Sequence, residues 1–215
     1  MLTPLNPTDA RVLGSLIEKE ATTPDYYPLS LNALKLACNQ SSNRDPVMQL
    51  DDGEVLASTD RLRRQSLVRA LQKSDSRVMK YSHLMGETME LDARELAVMC
   101  VLMLRGPQTL AEIKTRTERL ASFDSNEAVE ATLNALATRQ PSLVTRLARQ
   151  PGQKEARFSH LLSGDVTAEP AAVAPAPPVA DKNDRLTALE TTTEELRKEL
   201  ADIRRQLEEF RKQFE

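Results

Sequence analysis

Residues Asp51–Leu84, DDGEVLASTDRLRRQSLVRALQKSDSRVMKYSHL, decide the fold. The first half reads as a helix with a buried side of Val55, Leu56, Ala57 and Leu62. Arg61, Arg63 and Arg64 crowd its end, where cations suit the negative pole of the helix macrodipole. Leu67, Val68 and Leu71 open a short strand, Lys73-Ser-Asp-Ser is turn chemistry, and Arg77–His83 alternates as a second strand. Helix, strand, turn and strand make the second half of a winged helix.

The same pattern returns over Glu127–Leu161: a helix, Arg139-Gln-Pro-Ser-Leu-Val, a turn at Gln150-Pro-Gly-Gln, and a strand ending Arg157-Phe-Ser-His-Leu. Arg64-Gln-Ser-Leu-Val matches the first of these runs, and Lys80-Tyr-Ser-His-Leu matches the last. The matched pairs Ser66/Ser142 and Ser82/Ser159 lie 76 and 77 positions apart, a period too long for a solenoid unit. A duplicated domain follows. The predicted class is α+β, mainly α: two tandem winged-helix domains, residues 1–88 and 89–166. A Pro/Ala-rich linker (167–184) and a coiled-coil helix (185–215) complete the chain.

The remaining elements follow from caps and periodicity. Thr8-Asp9 reads as an N-cap before a helix over Ala10–Glu20, with Val12, Leu13, Leu16 and Ile17 in the core. Ser30 caps Leu31–Cys38, whose Leu31, Leu34 and Cys38 face inward. Asn39-Gln-Ser-Ser-Asn-Arg-Asp-Pro-Val-Met then occupies the turn position of a helix-turn-helix. It reads as a turn held by its own side chains, or as a polar contact surface of Asn39, Gln40, Asn43, Arg44 and Asp45. In the second unit Leu96–Leu104 is apolar nearly all round, the mark of a helix buried between domains or subunits, and Gly106-Pro107 stops it.

Thr22-Thr-Pro-Asp-Tyr-Tyr-Pro-Leu-Ser-Leu-Asn and Ala37-Cys-Asn-Gln-Ser-Ser-Asn-Arg-Asp-Pro-Val-Met resemble the signature of the YceH-like bacterial family of unknown function. So do Leu104-Arg-Gly-Pro-Gln-Thr and the run from Arg146 to Arg157. The resemblance covers about residues 5–165 and implies two tandem winged helices. It implies no activity, ligand or catalytic residue.

Lys and Arg balance Asp and Glu over residues 1–165, 21 against 21, so the tail supplies the net charge of −3. Cations nonetheless gather on the helix end and wing of each unit. In the first they are Arg61, Arg63, Arg64, Arg69, Lys73, Arg77 and Lys80, against Asp75 alone. A basic wing is where this fold meets a phosphate backbone. The expected DNA contacts are therefore Ser58, Thr59, Arg61, Arg63 and Arg64 on the helix, with Arg69, Lys73, Arg77 and Lys80 on the wing. The equivalent helix of the second unit carries Glu127 and Glu130, which would repel phosphates, and reads as structural or partner-binding.

Past the linker, Leu186, Leu189, Leu196, Leu200, Ile203, Leu207, Phe210 and Phe214 keep a 3-4 spacing broken by Thr193. Glu199 and Arg204 would attract in a parallel pair. A homo-oligomer formed through Leu189, Leu196, Leu200, Ile203, Leu207 and Phe210 is expected, with its strand number open.

No cluster has zinc spacing, no Gly-rich loop could cradle a phosphate, and no Ser or Cys has a nucleophile's context, so neither an enzyme nor a cofactor is expected. His83 and His160 sit at matching places, which duplication explains. Cys38 and Cys100 read as small core residues. No run of 18 apolar residues and no secretory signal are present, which assigns the chain to the cytoplasm without a membrane partner. The function expected first is duplex DNA binding, regulatory in kind, with the tail pairing half-sites; the alternative is a protein-interaction adaptor built on winged helices, without direct DNA contact.

Overall fold

A computed structural model describes residues 3–72, 78–149 and 155–164. These form seven α-helices and two three-stranded antiparallel sheets, about half helical overall. The linker and the heptad residues Leu189, Leu196, Leu200, Ile203, Leu207 and Phe210 lie outside them, as do Lys73 and Arg77. No helix among the described residues is long and apolar enough to cross a membrane.

The chain runs α1 (Pro7–Thr22), a 3₁₀ turn (Pro24–Tyr26), β1 (Leu29–Ser30), α2 (Leu31–Cys38), α3 (Asp52–Arg64), β2 (Val68–Leu71) and β3 (Lys80–His83). The short helix α4 (Met85–Met89) follows. The same order then recurs as α5 (Ala93–Arg105), β4 (Gln108–Thr109), α6 (Leu110–Thr117), α7 (Asn126–Thr138), β5 (Val144–Arg146) and β6 (Arg157–His160). The sheets repeat too, ordered β1-β3-β2 and β4-β6-β5. Even the registers agree, with Val68 opposite His83 and Val144 opposite His160.

Local chemistry sets the helix starts. Asn6, rather than Thr8-Asp9, caps α1: its side chain accepts from the Asp9 backbone N–H at 2.8 Å, and Pro7 fits the first helical position because no amide is needed there. Asp9 is thereby drawn inside the first turn and buried. Capping boxes open α3 (Asp51 with Glu54), α5 (Asp92 with Glu95) and α6 (Thr109 with Glu112). Ser30 caps α2 as expected. The strand expected over Arg77–His83 begins only at Lys80.

α1 and α5 form the centre of this body. Both are buried over most of their circumference, α1 from Asp9 to Glu18 and α5 from Ala97 to Leu104. They pack against each other, so the all-round apolarity of Leu96–Leu104 serves a seam between the two repeats. At Gly14 the approach is closest. A Cβ there would lie 3.0 Å from Leu104 Cδ2 and 3.3 Å from Met103 Cβ, and the Cys100 thiol points at the Gly14 carbonyl at 3.3 Å. Val12, Leu13, Leu16, Val98, Met99 and Leu102 fill the same core, each fully buried apolar side chain stabilising it by about 1.5–3 kcal/mol.

Candidate interaction surface

The buried face of α3 is Val55, Ser58, Thr59 and Leu62, a strict i, i+3, i+4, i+7 set. Leu56 and Ala57, expected inside, lie outside. Ser58 and Thr59, expected to touch DNA, are fully buried. Each hydroxyl is satisfied internally: Ser58 donates to Asp9 Oδ1 at 2.7 Å, and Thr59 donates to its own helix at the Leu56 carbonyl. Arg61 is likewise turned inward. Its Nε and Nη2 grip the Asp9 carboxylate at 2.8–3.1 Å, and that hydrogen bonding raises the guanidinium pKa. Ser58 and Arg61 thereby tie α3 to α1, while the Thr59 hydroxyl closes on its own helix.

Of the remaining cations, Arg63 pairs with Asp60 at 3.1 Å on the surface, Arg64 is exposed, and Arg69 donates from Nε to Ser82 Oγ at 3.0 Å. Lys80 is half-buried. The outward side of α3 also carries Asp52, Glu54 and Asp60, so the surface is of mixed sign.

That side is partly apolar. Leu36 on α2, Val47 in the α2–α3 loop and Leu56 on α3 are 62%, 54% and 42% exposed. A Lys35–Asp52 ion pair of 2.8 Å joins the two helices beside them. Among the described residues, every large exposed apolar side chain lies between Tyr26 and Met79, in the first repeat. The equivalent helix α7 presents Glu127, Glu130 and Asn134 instead.

The polar turn is held together as a clasp, with Arg44 buried and Asp45 exposed. Arg44 is buried, with Nη2 at 2.6 Å from Glu18 Oε2 and Nη1 at 3.3 Å from Glu18 Oε1. It also donates to the Ala37 and Asn43 carbonyls and to Gln40 Oε1. Asn39 bonds both backbone groups of Leu50 at 2.8 Å, closing the loop before α3. Asn43 adopts a left-handed backbone (φ 58°) and accepts from Arg105, while the Asp45 amide donates to the Leu104 carbonyl at 2.9 Å. The turn thereby holds the end of α5. Asn39 and Arg44 thus pair backbone groups of Ala37, Asn43 and Leu50.

The duplicated histidines have diverged. His83 is buried with Nε2 at 2.6 Å from Glu20 Oε2, and its amide donates to the Tyr27 hydroxyl at 2.7 Å. Burial lowers the His83 pKa and outweighs the nearby Glu20. His160 has only its burial, which pushes its pKa down to about 4. Among the described residues no group of three or more His, Cys, Asp and Glu could hold a metal ion.

Residues 5–153 match the model of a family described as "Protein of unknown function, DUF480". A UPF0502 protein of Pelobacter propionicus is 51% identical, with 98% of each chain covered. One from Geobacter sulfurreducens is 49% identical over 98% of each. A third, from Aliivibrio fischeri, is 46% identical over 95% of this chain and 94% of the relative.

Proposed function

Because the chain belongs to this bacterial family of unknown function, and no activity comes with membership, we propose its role from geometry: a winged-helix adaptor that docks a protein on the α2–α3 face of its first repeat. Each repeat is read as a winged helix on the strength of its element order and of the sheet order 1-3-2. The observation that carries the docking proposal is the outward face of α3. There Leu56 and Ala57 lie open beside Asp52, Glu54 and Asp60. In a major groove those carboxylates would meet phosphate and acceptor-rich base edges. Against a protein, Leu36, Val47 and Leu56 supply the apolar centre and the acids a polar rim. The same proposal includes a non-catalytic, cytoplasmic role and self-association through residues 185–215, supported by the heptad spacing.

A photo-crosslinking residue at position 56 of the full-length protein tests the adaptor. A discrete protein adduct, resistant to nuclease and missing when the probe sits at position 130 on α7, is the expected result. Adducts to nucleic acid alone would reverse the proposal.

Duplex DNA binding is the second reading, favoured by the outward Arg64 and by Arg69 at the start of the wing. Fluorescence anisotropy on a mixed-sequence duplex across a salt series separates the two. The adaptor gives no binding at low salt, whereas DNA binding gives a steep log–log salt slope.

A further inference from the structure

A pocket of about 270 Å³ opens where α1, the clasp, α5 and α6 converge. It is lined by the apolar Val101, Leu104 and Leu120 and by three arginines, Arg105, Arg116 and Arg119. Glu18 also lines it, but both Glu18 oxygens are already held by Arg44. Glu112 is shared, at 3.4 Å from Arg116 and 3.0 Å from Arg157. Arg105 has only the neutral amide oxygen of Asn43. Arg119 has no ion-pair or hydrogen-bond partner among the described residues.

Three arginines thus border one small concavity, Arg116 sharing Glu112 and Arg105 feeling Glu18 and Asp45 without an ion pair to either. Burial, and then the charge of Arg116, lower the pKa of Arg105. Guanidinium groups brought together beside apolar side chains repel one another until an anion lies between them. They also have the fork geometry that grips two oxygens of one phosphate or carboxylate. The volume sits at the small end for ligand pockets, which run from roughly 300 Å³ upward, and suits a compact molecule.

We infer that this pocket binds a small organic oxyanion, a phosphate monoester or carboxylate with a short apolar body, at the junction of the two repeats. Its oxyanion meets Arg105, Arg116 and Arg119, and its apolar end rests on Val101, Leu104 and Leu120. The ligand touches α1 and the clasp from one repeat and α5 and α6 from the other, so it stabilises the seam it occupies. The site stands whatever the α2–α3 face docks.

Calorimetric titration of the full-length protein with phenyl phosphate, benzoate and inorganic phosphate tests the site. Saturable binding of one organic anion, tighter than inorganic phosphate, is expected, and the better of the two identifies the headgroup. Arg119→Gln, at an exposed position, keeps the fold and weakens that binding at least about tenfold, as does Arg116→Gln. Absence of saturable heat with all three probes overturns the inference. Equal affinity for inorganic phosphate, or unchanged affinity in both variants, overturns it as well.

Discussion

Arg44 Nη2 lies 2.6 Å from Glu18 Oε2, and both side chains are withdrawn from water. An ion pair in such a place stabilises little against an apolar replacement, but breaking it from one side strands a charge. Arg44→Gln or Glu18→Gln alone is therefore expected to cost about 3–5 kcal/mol in urea unfolding. Arg44→Met combined with Glu18→Leu should cost clearly less than the sum of the single changes. Additive losses would mean that Arg44 acts through its bonds to the Ala37 and Asn43 carbonyls rather than through Glu18.

Gly14→Ala sets helix propensity against packing. Alanine is favoured over glycine within a helix by about 1 kcal/mol. Here its methyl would meet Leu104 Cγ and Cδ2 at 3.0 Å inside a filled core. Overpacking of this kind costs about 1–3 kcal/mol, so the variant should be less stable by about 1 kcal/mol net. A stabilised variant in denaturant titration would mean that Leu104 yields freely and the seam is loose.

Both thiols should be inert in the folded protein. Burial pushes the Cys38 pKa up to about 11 and raises that of Cys100 further. The thiolate is the reactive form, and neither sulfur is open to solvent. Iodoacetamide at pH 8 is expected to label neither residue natively and both in urea, read by intact mass. Native labelling of Cys100 would show that α1 and α5 separate readily.

His160 gives the fold an acid-sensitive point. Its folded pKa of about 4 lies below its ordinary 6.5, so the unfolded chain binds the proton more tightly. The resulting stability is complete above about pH 6.5 and is lost as the pH falls toward 4, an effect of about 3 kcal/mol at most. Urea midpoints at pH 7 and pH 4.5 should drop less for His160→Gln than for the parent. Equal drops would place the acid sensitivity on His83 or the carboxylates.

The duplication was legible from the sequence because the matched runs around Ser66/Ser142 and Ser82/Ser159 mark equivalent places in the two sheets. The cap at Ser30 and the stop at Gly106 were legible for the same reason: each is decided by a few neighbouring residues. The inner face of α3 was misread where apolarity and period disagree. Leu56 is apolar but out of phase; Ser58 and Thr59 are polar but in phase, and their hydroxyls find acceptors. Asp9, the acceptor for Ser58 and Arg61, lies 49 and 52 positions away, so no local pattern announces it. The ion pair of Arg44 was hidden for the same reason, since its partner Glu18 sits on another helix. The pocket arginines come from α5, α6 and the residues just past α6, and they share no motif.

The α1–α5 seam bears on how this protein can be dissected. A gene duplication ordinarily leaves two modules that could be parted again. Here each repeat has come to use the other's first helix as its own interior, with Gly14 pared down to admit Leu104 and the clasp anchored on the end of α5. Cut between α4 and α5, either piece would present that interior to water and clump. Truncation studies should therefore treat residues 1–164 as the smallest unit worth expressing.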